Sequence, residues 1–297
     1  MEFSQLRIFQ AVAEEGSVTR AAERLHRVPS NLSTRLRQLE EQLGVELFLR
    51  ERQRLQLSPA GKVLLDYANR LAALRDQAIA AVQGGEPAGD FVLGTMYSTA
   101  AIQLPPLLAR YHQAYPAVNL QVQAAPSGEL LERLLSHRLD AALMDGPPNL
   151  AGVDGVPLCE EQLVLITSPQ HLPVLSARDV AGEAVFTFRQ GCAYRTRLEA
   201  WYAHDHTPMG RVMEIESYQS MLACVIAGAG VALMSRSMLD SLPGREQVRA
   251  HPLPAPFDHA VTWLMWRQGM RGANLQAWID LQQAETVNQP SGPALSA

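Results

Sequence analysis

At 297 residues the chain is too long for one small module, and roughly 100 to 200 residues per domain predicts two or three folded units. Its hydrophobic content of 47% and charged content of 19% are ordinary for a globular protein and exclude a disordered chain. The formal net charge of -5 excludes a uniformly basic nucleic-acid binder, but nine basic and five acidic residues from Arg20 to Lys62 leave a local excess of four positive charges.

The first 45 residues predict three helices that pack as a small bundle. Apolar residues recur at every third position from Phe3 to Val12, and Gly16 ends this first helix. Ser17 is a suitable N-cap for a second, short helix. Pro29 suits the first turn of a third helix, where backbone N–H groups need no intrahelical partner. The apolar seam of the third helix is spaced 4, 3 and 4, at Leu32, Leu36, Leu39 and Leu43.

The polar side of the third helix and the arginine-rich hairpin after it form a candidate DNA-reading surface. Hydroxyls, amides and guanidinium groups can contact base edges or phosphates. A merely solvated helix face would have the same composition, but a hairpin with three arginines favours DNA because such a wing can lie along the phosphate backbone. The predicted DNA-binding residues are Ser17, Thr19, Arg20, Pro29, Ser30, Asn31, Ser33, Thr34, Arg35, Arg37, Arg50, Arg52 and Arg54.

Three short motifs in this region resemble the winged helix-turn-helix of LysR-type transcriptional regulators. They are A-A-x-x-L-H at 21–26, R-x-L-E-x-x-L-G-x-x-L-F at 37–48 and L-S-P-A-G at 57–61. The resemblance covers about residues 1–60 and implies a DNA-binding regulator that recognises a two-fold symmetric site. The family commonly has Gln and Arg where this chain has Pro29 and Thr34, so details of the bound sequence are not carried over.

A long helix after Pro59 is predicted to pair two copies of the chain. Its small and apolar residues are spaced 4, 3, 4, 3 and 4, at Ala60, Leu64, Tyr67, Leu71, Leu74 and Ala78. Two such positions in seven favour a coiled-coil seam, although a helix packed on its own domain is the alternative. The family resemblance also implies a homodimer through this helix, and a tetramer. The glycine-rich stretch 83–90 then marks a hinge.

The rest of the chain alternates predicted strands and helices, which indicates α/β units with parallel strands. It resembles the co-inducer domain of the same family, which is similar to periplasmic binding proteins and has two Rossmann-like lobes. We expect the strands that join the lobes near Leu163–Ile166 and Thr262–Met265. The predicted architecture is therefore multidomain: a mostly helical DNA-binding domain at 1–58, a linker helix and hinge at 59–89, and an effector domain at 90–297. Lobe I takes about 90–163 and 265–297, and lobe II about 164–264.

The effector cleft is predicted where helices begin after strands, because backbone N–H groups point outward there. The candidate effector-binding residues are Ser98, Thr99, Ser127, Gly128, Gly191, Cys192, Tyr194, Glu216 and Tyr218. Ordinary N-capping would explain each serine or threonine by itself, and lining the pocket explains Cys192 better than a redox role does.

The charge of the effector stays open at this stage. Several segments resemble the family branch that includes putrescine-utilisation regulators, and a dicationic effector would use Glu129, Asp145 and Glu216. A carboxylate effector would use the helix starts instead.

No catalytic, cofactor or metal site is predicted. The three cysteines are far apart and lack zinc-ligand spacing, and the GAG at 228–230 lacks the remaining features of a dinucleotide fingerprint. With no secretory signal and no apolar run of about 18 residues, a cytoplasmic protein is expected. The rival hypotheses are an α/β enzyme fused to a DNA-binding module and an architectural DNA-binding protein without an effector.

Overall fold

The computed structural model describes residues 1–51, 54–83 and 86–288. The chain divides into two compact units, Met1–Gly84 and Gly85–Ala297. Within the described residues, no helix is both long and apolar enough to cross a membrane.

The first unit contains three short helices, a hairpin and a long helix. These are α1 (Phe3–Glu15), α2 (Val18–Arg24), α3 (Pro29–Leu43), β1 (Phe48–Glu51), β2 (Arg54–Leu57) and α4 (Pro59–Gln83). Gly16 and Gly44 end α1 and α3 with positive φ angles of 61° and 69°, which glycine adopts without strain. The Ser17 side chain accepts a hydrogen bond from the backbone of Arg20, so the predicted N-cap is confirmed.

The bundle core differs from the predicted seams at the helix ends. Leu32, Leu36 and Leu39 are buried, but Leu43 is 39% exposed, and Phe3 is 49% exposed. Both exposed residues occupy terminal positions of their helices, beyond the reach of the neighbouring helices. Periodicity therefore identified the buried face correctly but extended it one residue too far at each of these ends.

Two of the six predicted seam residues of the long helix α4 pack inside its own unit. Leu64 and Leu71 pack, together with Ala68, against the core of the three-helix bundle. Gln10 of α1 also donates a hydrogen bond to Asn69 of α4, at 2.7 Å. Leu64 and Leu71 are thus partly buried by their own bundle, so their place in a dimer seam stays a prediction.

The second unit is built on one sheet of nine strands within the described residues. Its strand order is β4-β3-β5-β11-β6-β9-β7-β8, and β10 pairs with β6 beside this path. The strands are β3 (Gly89–Thr95), β4 (Val118–Ala124), β5 (Ala141–Asp145), β6 (Val153–Thr167), β7 (Val185–Thr187), β8 (Val212–Glu214), β9 (Val231–Ser235), β10 (Arg249–Pro252) and β11 (His259–Arg267). The helices are α5 (Tyr97–Ile102), α6 (Leu104–Ala114), α7 (Ser127–Leu135), α8 (Ala193–His204), α9 (Tyr218–Ile226), α10 (Arg236–Ser241) and α11 (Ala273–Asn288).

Two long antiparallel strands, β6 and β11, connect two lobes of this sheet. In lobe I, β3 pairs in parallel with β4 and β5; in lobe II, β7 pairs in parallel with β8 and β9. The segment Leu163–Ile166 already pairs with β9 of lobe II, so β6 crosses between the lobes a few residues earlier than expected. The β6–β11 ladder is irregular between Thr262 and Trp263, where Leu158 has no opposite residue.

Candidate nucleic-acid interface and ligand cleft

The polar side of α3 lies on the surface, as a groove-reading helix requires. All seven residues predicted on this helix are exposed: Pro29, Ser30, Asn31, Ser33, Thr34, Arg35 and Arg37. The Thr34 hydroxyl donates to the Ser30 carbonyl at 3.0 Å, which leaves its oxygen lone pairs available to an outside donor. Arg37 forms only a loose pair with Glu41, at 3.8 Å between two exposed side chains.

The three predicted residues from α2 and its cap divide between structural and exposed roles. Ser17 is half-buried and caps α2, so its hydroxyl is already engaged. Thr19 is exposed, and the exposed Arg20 side chain contacts the Glu15 carbonyl at the end of α1. In the hairpin, Arg52 and the side chains of Arg50 and Arg54 lie outside the described residues, so their DNA-binding roles stay predictions.

Two residues of the family-like motifs hold the hairpin against the bundle. The carboxylate of Glu40 on α3 accepts a hydrogen bond from the backbone N–H of Leu47, at 2.8 Å, where the chain enters the hairpin. A Cβ atom at Gly61 would lie 2.1 Å from the Leu47 carbonyl oxygen, so only glycine allows α4 to start this close. Sequence periodicity missed the function of Glu40 because its partner is a backbone group.

Between the lobes of the second unit is a partly open cavity, whose empty space of about 310 Å³ includes open solvent. Four helices begin at its wall, namely α5, α7, α8 and α9, each after a strand of the sheet. The lining comprises Met96, Tyr97, Ser98, Ala125, Pro126, Ser127, Phe188, Cys192, Ala193, Tyr194 and Tyr218. Helix starts carry a partial positive charge and unpaired N–H groups, so their convergence suits an anion.

Five of the nine predicted cleft residues line this cavity: Ser98, Ser127, Cys192, Tyr194 and Tyr218. The buried Ser127 hydroxyl oxygen has no hydrogen-bond partner within the described part of the chain, so a ligand could bond to it. Thr99, one position further round α5, is fully buried and does not line this cavity, so its effector-binding role stays a prediction.

The remaining predicted residues, Gly128, Gly191 and Glu216, belong to contacts between or beside the lobes. The Gly128 backbone N–H of lobe I donates to the Gly191 carbonyl of lobe II, at 3.2 Å. Arg189 of lobe II reaches Glu129 of lobe I at 2.7 Å and Glu216 of its own lobe at 3.1 Å. Gly128 and Gly191 therefore join the lobes at the edge of the cavity, and Glu216 pairs within lobe II.

A second ion pair between the lobes is more deeply buried. Arg197 of α8 contacts both carboxylate oxygens of Asp145, at 2.9 and 2.8 Å, and the Asp145 side chain is only 7% exposed. All three carboxylates expected to hold a dicationic effector, Glu129, Asp145 and Glu216, are therefore already paired with arginines.

A buried carboxylate on the connecting strand β6 was missed by the sequence analysis. Glu161 is 4% exposed and accepts hydrogen bonds from Gln103 of lobe I (2.9 Å), Tyr194 of lobe II (2.7 Å) and Ser237 (2.9 Å). Tyr194 in turn lies 3.4 Å from the Ser98 hydroxyl in the cavity wall. The sequence does show a glutamate next to the apolar end of a strand, which could have marked Glu161. Its function could not be predicted, because its partners come from distant parts of the chain.

Burial controls the protonation of the groups around the cavity. It raises the pKa of the Cys192 thiol, although backbone N–H groups of Arg195 and Tyr194 act in the opposite direction. Burial also raises the pKa of Tyr194, helped by the nearby Glu161, and that of Tyr218, helped by Cys192. Both phenols and the thiol therefore keep their protons near neutral pH. Among the described residues, no group of three His, Cys, Asp or Glu side chains is placed to hold a metal ion.

Two family models match the chain, and together they span nearly all of it. The model described as a bacterial regulatory helix-turn-helix protein of the lysR family matches residues 3–62. The model described as the LysR substrate binding domain matches residues 84–286.

Curated relatives align along 90% of this chain. YusT of Bacillus subtilis (strain 168), named an uncharacterized HTH-type transcriptional regulator, is 33% identical over 269 residues and 90% of its own length. GltR of the same organism is 30% identical over 269 residues, which is 91% of its length. SoxR of Arthrobacter sp. (strain TE1826) is 32% identical over 268 residues, also 91% of its length. All three are named HTH-type transcriptional regulators.

Solved structures share the fold. A full-length OxyR variant from Pseudomonas aeruginosa has a TM-score of 0.69 at 23% identity, covering 96% of this chain and 94% of that one. Full-length CbnR, solved in complex with its target DNA, has a TM-score of 0.66 at 22% identity, covering 96% and 99% of the two chains.

Proposed function

Since the chain belongs to the LysR family of bacterial transcriptional regulators, we propose that its binding to a two-fold symmetric promoter site changes when a small molecule fills the cleft of its second unit. The observation that carries the ligand-responsive part is the cavity between the lobes, at which four helices begin. A ligand that prefers one arrangement of the lobes would shift the population toward it. With chromosomal DNA as its partner, the protein would work in the cytoplasm.

The proposed division of labour assigns residues 1–58 to DNA binding, 59–89 to the linker and 90–297 to the effector domain. The exposed start of α3 supports base contacts by Ser33 and Thr34 in the major groove. We expect Ser33→Ala and Thr34→Ala each to weaken specific binding by about 1–3 kcal/mol in a fluorescence-anisotropy titration. Gln42→Ala, at the exposed far end of the same helix, is the matched control. Equal losses on random DNA would mean that these hydroxyls contact only phosphates.

The wing contribution is tested through its salt dependence. Each phosphate neutralised by an arginine steepens the plot of log affinity against log salt by about 0.9. Replacing Arg50, Arg52 and Arg54 together with alanine should therefore flatten this plot by up to about 2.7 on specific and random DNA alike. An unchanged slope would remove the wing from the interface.

We propose that α4 also pairs two copies of the chain, through the exposed edge of the predicted seam. Tyr67 and Leu74 of the original seam are 52% and 42% exposed, and Val63 is exposed beside them, at 59%. These residues leave an apolar stripe on α4 that the bundle does not cover. A homodimer would place two α3 helices on successive half-sites, and a tetramer would pair two such dimers.

The effector is proposed to be a small carboxylate. The convergent helix starts favour an anion, and the arginines that neutralise Glu129, Asp145 and Glu216 remove the groups that a diamine would need. The resemblance to putrescine-utilisation regulators therefore stays a prediction about ancestry and not about the ligand.

A binding screen of the full-length protein tests this proposal. Small carboxylic acids should raise the melting temperature of the second unit by mass action, whereas putrescine should not. Stabilisation by putrescine alone would contradict the anionic assignment. An acid that binds should also change the affinity for promoter DNA. Turnover of that acid would favour the enzyme hypothesis, and DNA affinity that ignores every bound acid would favour an architectural protein.

A further inference from the structure

The hydrogen bonds around Glu161 all run in one direction, from neighbouring side chains to its carboxylate. This carboxylate lies on β6, which connects the lobes, and all three side chains that contact it, Gln103, Tyr194 and Ser237, are neutral donors. A carboxylate that receives three such bonds acts as an acceptor toward each. The Tyr194 hydroxyl therefore donates its only proton to the hydrogen bond with Glu161, at 2.7 Å.

This fixes the direction of the next bond toward the cavity. Because the Tyr194 proton points at Glu161, its oxygen can only accept from Ser98, whose oxygen is 3.4 Å away. Ser98 then has no proton left for a ligand, so its lone pairs face the cavity at the end of this chain.

The cavity therefore combines two different polar surfaces. The helix starts offer N–H donors, which suit a carboxylate, and the Glu161–Tyr194–Ser98 chain offers an acceptor beside them. Glu161, Tyr194 and Ser98 are all more than nine-tenths buried, so a missing partner in the cavity is not replaced freely by bulk water.

We propose that the effector is a carboxylic acid that carries a hydrogen-bond donor, an amino or hydroxyl group, next to its carboxylate, and that Glu161 sets this requirement from behind the cavity wall. The inference rests on the proposed anionic effector and adds a second recognition element to it. Glu161 acts through Tyr194, so it is a positioning residue. A plain acid of the same size would leave the buried acceptor unpaired, at a cost of roughly 10- to 100-fold in affinity.

The test uses two matched series of acids with the full-length protein. Propionate, lactate and alanine form one series; isovalerate, 2-hydroxyisovalerate and valine form the other. All four tryptophans, Trp201, Trp263, Trp266 and Trp278, lie in the second unit, so tryptophan fluorescence follows the melting of that unit alone. We expect the hydroxy or amino acid of at least one series to bind roughly 10- to 100-fold more tightly than its plain counterpart.

Three variants test whether Glu161 directs the Tyr194 proton or only supports the fold. In Glu161→Gln the amide can donate to Tyr194, which frees the Tyr194 proton to turn toward Ser98, so the preference for acids with a donor should fall to less than about 3-fold. Tyr194→Phe breaks the chain at its middle and should abolish the preference even if Glu161→Gln fails to fold. Ser237→Ala removes another donor to Glu161 away from the cavity and is the matched control, with the preference intact.

The outcomes distinguish the two levels of the argument. Plain acids that bind as tightly as their hydroxy and amino counterparts would overturn the inference and leave the anionic effector standing. An unchanged preference in Tyr194→Phe would overturn the assignment of its origin to Glu161. Binding by no acid of either series would overturn both the inference and the proposed effector class.

Discussion

Breaking the buried ion pair between Arg197 and Asp145 is predicted to loosen the closed arrangement of the two lobes. The carboxylate of Asp145 is 7% exposed and both of its oxygens contact the Arg197 guanidinium within 2.9 Å. Arg197→Ala would leave this charge buried and unpaired, which typically costs about 3–5 kcal/mol. Since Arg197 itself is 26% exposed, we expect the lower end of this range.

Tryptophan melting of the full-length protein measures the effect in the second unit alone. A loss of about 3 kcal/mol corresponds to roughly 6–12 °C for a domain of this size. The matched control is Arg245→Ala, which breaks a surface pair with Asp240 whose side chains are 53% and 54% exposed and should cost about 0–1 kcal/mol. If the two variants melt within about 2 °C of each other, the Arg197 contact does not hold the lobes together.

The same variant makes a second, independent prediction about binding. A ligand enclosed between the lobes binds only the closed arrangement, so its apparent affinity falls with the closed fraction. Arg197→Ala should therefore weaken every effector by the same factor, whatever its functional groups. Asp145→Asn, which removes the buried charge but keeps an acceptor, should destabilise the unit less than Arg197→Ala does.

Three further predictions concern other parts of the molecule. Leu74→Asp should reduce the mass measured by light scattering to that of a smaller oligomer or a monomer, while the helical bundle stays folded. Leu71→Ala should instead lower the stability of the bundle, by about 2–5 kcal/mol at most, as measured by circular dichroism. Cys192 should react with iodoacetamide at pH 7.5 more slowly than free glutathione, because burial raises the pKa of its thiol; a faster reaction would revive a redox role. Acidification below pH 6.5 should destabilise the second unit, because burial, then His171 and Arg249, lower the pKa of His251. Below this pH the unfolded chain binds a proton that the folded chain does not. His251→Gln should therefore reduce the dependence of the melting temperature on pH.

Local features of the sequence predicted the helix ends, while contacts between distant segments did not follow from it. Gly16, Ser17 and Gly44 mark boundaries through their own backbone and cap geometry, which depends on adjacent residues. Glu161 is the opposite case: its partners Gln103, Tyr194 and Ser237 are brought together only by the closed pair of lobes. No spacing rule connects positions 103, 161, 194 and 237.

The linker helix shows a different limit of periodicity. Positions spaced 4, 3 and 4 mark an apolar stripe, but the same stripe results from packing on another copy or on the chain's own bundle. On α4, Leu64 and Leu71 contact the bundle, while Tyr67 and Leu74 remain exposed and available for the proposed dimer. A seven-residue repeat therefore predicts which positions of such a helix are apolar, but not whether they pack on the same chain or on another copy.

The charge of the effector illustrates how pairing, and not residue type, decides electrostatics. The acidic residues near the cleft left a dication open as one alternative, yet Asp145, Glu129 and Glu216 each face an arginine contributed by lobe II. A dicationic ligand would have to displace those guanidinium groups, and the separated arginines would then repel it. The Ser127 hydroxyl at the start of α7 faces no such competition, since it has no partner within the described residues. An anion gains the helix-start N–H groups without breaking the ion pairs that close the cleft, and this difference in cost favours it.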